Sequence, residues 1–135
     1  MERFKSVLEK GTFETWLDGQ HFFKAVYVFY AFGNEDEGEE IYYIQANNDS
    51  KKMVTFTVPR NLKGDGTHDV DFPGSRFWYV DSDDFQSKVA SGNVTLKFGN
   101  GRQKISGGIA FTLENGKKLT GNFEINNPAI VYPEP

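Results

Sequence analysis

Two acidic stretches carry the densest oxygen chemistry in this chain, Gly64-Asp65-Gly66-Thr67-His68-Asp69-Val70-Asp71 and Asp81-Ser82-Asp83-Asp84. Calcium takes several carboxylate and carbonyl oxygens from loops, so Asp65, Asp69, Asp71 and Asp83 are its candidate ligands if a turn at Pro73-Gly74 makes their strands neighbours. The spacing lacks the glutamate that closes an EF-hand loop, and alternation along a strand turns Asp69 and Asp71 away from Val70 and Phe72. A solvated strand face is the simpler reading, and no cofactor is expected.

His21 and His68 are the two histidines of the chain. His68 with Asp69 or Asp71 could act as a base and its orienter beside a serine, but adjacent strand residues face opposite ways and no nucleophile-elbow motif is present. Gly64-Asp65-Gly66 has neither the lysine nor the following helix of a phosphate loop, and reads as a turn. Carboxylates are plentiful enough for glycoside hydrolysis, yet no pair is marked out by its context. Sugar binding needs less: a ring beneath the sugar and planar polar groups around its edge. Trp78 and Tyr79 with Asp69 and Asp81, joined by Trp16, are residues of that type. In a regular strand one of Trp78 and Tyr79 faces out while the other packs inward.

Holding such side chains falls to an all-β scaffold. Thirteen Phe, six Tyr and two Trp sit among alternating Val, Ile and Thr, with fourteen Gly as punctuation, the pattern of short strands joined by tight turns. Strands are predicted at 12–17, 22–32, 40–46, 53–58, 67–72, 76–80, 93–98, 104–113 and 118–125. Pro59 closes one of them because it has no N–H for the ladder. These nine segments imply a single antiparallel β-sandwich or flattened β-barrel. A short N-terminal helix over Glu2–Lys10 is predicted from Phe4, Val7 and Leu8 on one face, and a single helical turn from Ser82–Val89. Residues 1–127 form the domain, and 128–135 are a Pro-containing tail that cannot be a regular internal strand.

Fifteen Lys and Arg against nineteen Asp and Glu leave a net charge of −4, so the broad positive surface needed to neutralise phosphates is missing and no nucleic-acid partner is expected. Without cysteine there is no disulfide, no thiolate nucleophile and no Cys-based zinc site. No segment reaches the length of a membrane span, and the first ten residues hold no signal-peptide apolar run. The expected location is cytoplasmic, or exported without a recognisable signal peptide.

The segment Ser91-Gly92-x-Val94-x-Leu96-x-Phe98-x-Asn100-Gly101 recurs fifteen residues later as Ser106-Gly107-x-Ile109-x-Phe111-x-Leu113-x-Asn115-Gly116, with a partial third copy at Thr120-Gly121-x-Phe123-x-Ile125. The period is one strand plus one turn, hence a meander. Apolar residues must share a face, and a one-residue slip would expose them all. A two-residue type I′ turn at Asn100-Gly101 satisfies this by pairing Phe98 with Gln103, Leu96 with Ile105, Val94 with Gly107 and Gly92 with Ile109. The same turn at Asn115-Gly116 would misplace Leu119, Phe123 and Ile125, so a three-residue loop, Glu114-Asn115-Gly116, is predicted there with Gly116 at the left-handed position. Gly92, Gly107 and Gly121 then become recesses for large neighbours, Ile109, Val94 and Phe123 among them. The opposite face, with Asn93, Thr95, Lys97, Ser106, Ala110, Thr112, Thr120, Asn122 and Glu124, is wet.

Phe22–Phe32 is apolar at both parities, which predicts a strand covered on two faces, by the helix, by a second subunit in a homodimer, or by an apolar ligand. Asp18-Gly19-Gln20-His21-Phe22, Gly66-Thr67, Ser91-Gly92, Ser106-Gly107 and Gly121-Asn122-Phe123 resemble the opening hairpin and closing strands of a group of short bacterial all-β proteins of unknown function, lipoprotein-associated and β-sandwich or lipocalin-like. The resemblance covers residues 12–125, implies a compact antiparallel domain and brings no catalytic residue. The chain lacks the lipidation cysteine of that group.

The function expected is a non-enzymatic binding or interaction module that recognises a polar ligand, carbohydrate included, or a protein partner through its loops and the 78–84 region. A barrel-type carrier of a small apolar ligand is the alternative, and a hydrolase with a carboxylate site the third.

Overall fold

The computed structural model describes residues 10–34, 40–48, 51–72, 78–82 and 85–127. Among them there are ten strands and no helix: β1 (Lys10–Leu17), β2 (Gln20–Lys24), β3 (Tyr27–Asn34), β4 (Glu40–Asn47), β5 (Met53–Pro59), β6 (His68–Asp71), β7 (Tyr79–Asp81), β8 (Gln86–Gly99), β9 (Lys104–Leu113) and β10 (Lys118–Asn126). They form one antiparallel sheet in the order β2-β1-β10-β9-β8-β7-β5-β4-β3, curled into a half-barrel, with β6 also on β8. The expected N-terminal helix over Glu2–Lys10 falls outside the described residues, except Lys10, which opens β1. The tail 128–135 also lies outside them. The helical turn expected over Ser82–Val89 is replaced by strand, because Gln86, Ser87 and Lys88 pair with Asp81, Val80 and Tyr79.

The closing meander follows its predicted parity. Gly116 takes φ 89°, and the amide of Leu113 donates to Lys117 O at 2.9 Å. Phe111 then faces Leu119, Ile109 Gly121, Gly107 Phe123, and Ile105 Ile125. The turn before β9 is longer than expected. Phe98 faces Ile105 instead of Gln103, Leu96 faces Gly107, Val94 faces Ile109 and Gly92 faces Phe111. A shift of two residues keeps every side chain on its face, so the apolar pattern alone does not detect it. Its cause is Arg102, which with Asn100 and Gly101 has positive φ and turns its side chain inward. Two of the three glycine recesses accordingly have other occupants: Gly92 lies opposite Phe111, and Gly107 between Leu96 and Phe123.

Phe22–Phe32 is not one strand. Ala25 N donates to Phe13 O at 2.8 Å and Val26 N to Asn47 O at 2.9 Å, so successive amides join opposite ends of the sheet. Phe22, Phe23 and Tyr30 face the core, whereas Val26, Tyr27 and Phe29 are 57%, 55% and 40% exposed. The strand buried at both parities is β5, in which Thr55 and Thr57 are as inaccessible as Val54, Phe56 and Val58. Phe56 stands at the centre of the core, with the rings of Phe13, Trp78, Phe111 and Phe123 at 6.1, 6.2, 5.9 and 5.9 Å. Burying rings of about 150–250 Å² each makes this cluster the main hydrophobic anchor between the two ends of the sheet.

Candidate functional site

The expected site residues divide among three places. Trp78 is in the core: it is 3% exposed, its indole N–H donates to Thr57 O at 3.0 Å, and its ring stacks on Phe72 at 5.5 Å. It has no free face for a ligand. Tyr79 and Asp81 have the opposite parity and lie on the outer side of β7, next to Thr55 and Met53. The expected adjacency of the two acidic segments does not occur, because β6 and β7 occupy different heights of β8, pairing with 93–96 and 86–88. Pro73-Gly74 and Asp83 lie outside the described residues. Asp65 faces Arg102 Nε at 3.8 Å, while Asp69 and Asp71 are exposed on β6. Among the described residues no three His, Cys, Asp or Glu side chains gather as metal ligands. His68 is held by Gly64 O at 2.8 Å and packs on Phe98 at 5.8 Å, so it does not form a dyad with Asp69.

Trp16 and Asp69 remain, and both lie on the outer face of the meander. Cross-strand pairing aligns two rows there. One runs Asp71, Asn93, Ala110, Thr120, Trp16, His21 and the other Asp69, Thr95, Gly108, Asn122, Glu14, Lys24. In the middle of each row, β9 contributes only Gly108 or Ala110. The longer side chains of β8 and β10 therefore stand on either side of a trough, and Trp16 forms its far wall. The resulting pocket is about 300 Å³ and includes Trp16, Asn93, Thr95, Gly108, Thr120 and Asn122 in its lining.

The polar groups around it are oriented from outside. Thr95 Oγ1 donates its hydrogen to Asp69 at 2.8 Å, which leaves its lone pairs for a donor in the pocket. His21 Nε2 donates to Glu14 at 2.9 Å, and the imidazole meets the Trp16 indole edge-on, 6.1 Å between centroids. The Asp18-Gly19 turn brings them together: φ values of 51° and 84° are those of a type I′ hairpin, which sets Trp16 opposite His21. A bulge after Thr15 then places Lys24 beside Glu14. The carboxylate with a displaced pKa on this face, Glu124, is held below its usual range by the Lys104 ammonium, the direction of a permanent anion and not of a proton donor.

This pocket differs from the expected site in that Asn93, Thr95, Thr120 and Asn122 read in the sequence only as a wet face. The available signal was the Gly108/Ala110 pair between them, since small residues flanked by planar polar ones make a trough. His21 reads as an ordinary surface histidine until the hairpin pairs it with Trp16. Compared with known proteins, the chain matches no family model, no curated protein and no solved structure.

Proposed function

We propose that the protein is a non-enzymatic binding module that takes a neutral saccharide on the outer face of β8, β9, β10 and β1. The observation that carries this reading is one pocket in which an indole, two carboxamides and two hydroxyls surround a floor of Gly and Ala. A pyranose has an apolar face and a rim of hydroxyls. Trp16 suits the first, and Asn93, Asn122, Thr95 and Thr120 suit the second, each able to donate or accept. The site is on the sheet and not in the loops around Trp78. Against an apolar carrier stands the core, where Phe56 is enclosed by four rings at 5.9–6.2 Å.

The test is a glycan array followed by tryptophan fluorescence. Trp78 is buried, so a bound saccharide should change only the Trp16 emission, and Trp16→Ala should lower affinity at least tenfold. An array with no saccharide signal, or binding unchanged in Trp16→Ala, would overturn the proposal.

A further inference from the structure

Resting on the saccharide reading, we infer that the site accepts at least two consecutive sugar units, so that its ligand is an oligosaccharide or polysaccharide segment and not a free monosaccharide. A second pocket of about 350 Å³ lies on the same outer face, and its lining includes Thr12, Glu14, Lys24, Asn122 and Glu124. Asn122 also lines the first pocket, so the two adjoin at that residue. Each alone is at the lower limit of the roughly 300–1,000 Å³ usual for small-molecule sites, and together they fall inside it.

The register sets the direction. Asn122 on β10 pairs with Gly108 on β9 and with Glu14 on β1, and the second pocket also reaches the next row along the strands at Thr12 and Glu124, so the step from one pocket to the next runs obliquely across the strands. From β9 to β1 is two strand spacings of about 4.8 Å each, which leaves room for two consecutive pyranose units. The linings also differ. Carboxamides and hydroxyls surround the Trp16 pocket, whereas Glu14, Lys24 and Glu124 bring charge to the second. Charge-assisted hydrogen bonds to sugar hydroxyls are about twice as strong as neutral ones. The second unit is thus held by its hydroxyls, the first by its stacked face, and Asn122 bridges the linkage between them. Glu14 serves both, as a lining carboxylate and through His21 as a support for Trp16.

The experiment is calorimetric titration with two series, glucose, cellobiose and cellotetraose, and N-acetylglucosamine with its dimer and tetramer, against the wild-type chain and Lys24→Ala, Glu124→Gln and Trp16→Ala. One series should gain at least tenfold in affinity from monomer to dimer. Lys24→Ala or Glu124→Gln should remove most of that gain while leaving monomer affinity unchanged, and Trp16→Ala should weaken every member. Equal affinity along the binding series, or a gain that persists in both second-pocket variants, overturns this inference while the saccharide reading stands. No binding by any member overturns this inference, and a glycan array that is blank as well overturns the saccharide reading with it.

Discussion

The guanidinium of Arg102 lies over the ring of Phe98, 4.1 Å from its centroid, although both residues belong to the hairpin that an Asn-Gly pair would close in two residues. Arg102 is 2% exposed. Its guanidinium donates to Arg60 O at 3.1 Å, to Leu62 O, and to Gly64 O at 3.3 Å, tying the loop after β5 to the turn between β8 and β9. Its own carbonyl accepts from Tyr30 Oη at 2.7 Å, and Asn127 Nδ2 donates to Tyr30 O at 2.6 Å. Arg102 thus connects the β8–β9 turn to the loop after β5 and to β3, and through Tyr30 to the residue that follows β10 at this end of the half-barrel.

Replacing that cation should be among the most damaging single changes. Arg102→Ala takes the guanidinium donor from the carbonyls of Arg60 and Leu62, while Gly64 O keeps His68, and each partly buried carbonyl that loses it costs about 1–3 kcal/mol. Urea denaturation should show a loss of about 3 kcal/mol or more. Arg102→Lys should recover little of it, because a point ammonium cannot reproduce the planar fork and the ring contact. A loss below about 1 kcal/mol would mean that water replaces the guanidinium.

Gly107 and Gly92 should be far less replaceable than their turn counterpart Gly116. At φ 155° and 138° an added Cβ would overlap the carbonyl oxygens of Thr95 and Ala110, which belong to paired strands and cannot move aside. Gly116 has φ 89° but open space around it. Gly116→Ala should cost about 1–2 kcal/mol, the left-handed penalty alone, whereas Gly107→Ala should fail to give a folded protein or lose more than about 3 kcal/mol. Equal losses at the two sites would show that the strand glycines are not close-packed.

These glycines mark what is readable in the chain. Alternation placed the inner and outer faces of the meander correctly, and parity gave the Glu114-Asn115-Gly116 turn because a wrong turn there would have exposed Leu119, Phe123 and Ile125. Parity is blind to a shift of two, and the cause of that shift is not local: Arg102 answers to carbonyls about forty positions earlier. Similarly, Trp78 and Tyr79 reveal their alternation but not which points inward, since that depends on Phe56 and Phe111 from other strands. Trp16 was legible as a sugar-binding type of residue. Its companions were not, because Asn93, Thr120 and Asn122 meet it only through the pairing of β8, β9, β10 and β1.

Alkaline pH should unfold the protein through its buried phenols. Burial raises the pKa of Tyr30 and of Tyr42 above the ordinary value near 10, and for both outweighs the opposing influence of Arg102. A pKa raised in the folded state gives stability that is fully present below the unfolded pKa, about 10, and is lost as pH rises beyond it. Denaturation midpoints should therefore stay level up to about pH 9.5 and fall above pH 10, with phenolate absorbance of these two appearing only as the chain unfolds. Tyr30→Phe should flatten that fall, although it gives up the bond to Arg102 O. Ionisation of all six tyrosines in a still-folded chain would contradict the burial argument.

The two tryptophans should separate stability from binding. Trp78→Ala removes a ring packed against Phe56, Phe72 and Phe111 together with the indole donor to Thr57 O, so a loss of about 3–5 kcal/mol is expected. Trp16 sits on the outer face against His21, and its removal should shift stability by only about 1 kcal/mol or less. Asp69→Ala frees the Thr95 hydroxyl to rotate, so it should weaken saccharide binding several-fold with the denaturation midpoint unchanged, while Thr95→Val should mimic it. Should Asp69→Ala and Thr95→Val both bind as the wild type does, the Thr95 hydroxyl takes no part in recognition, and the ligand rests on Trp16, Asn93, Thr120 and Asn122.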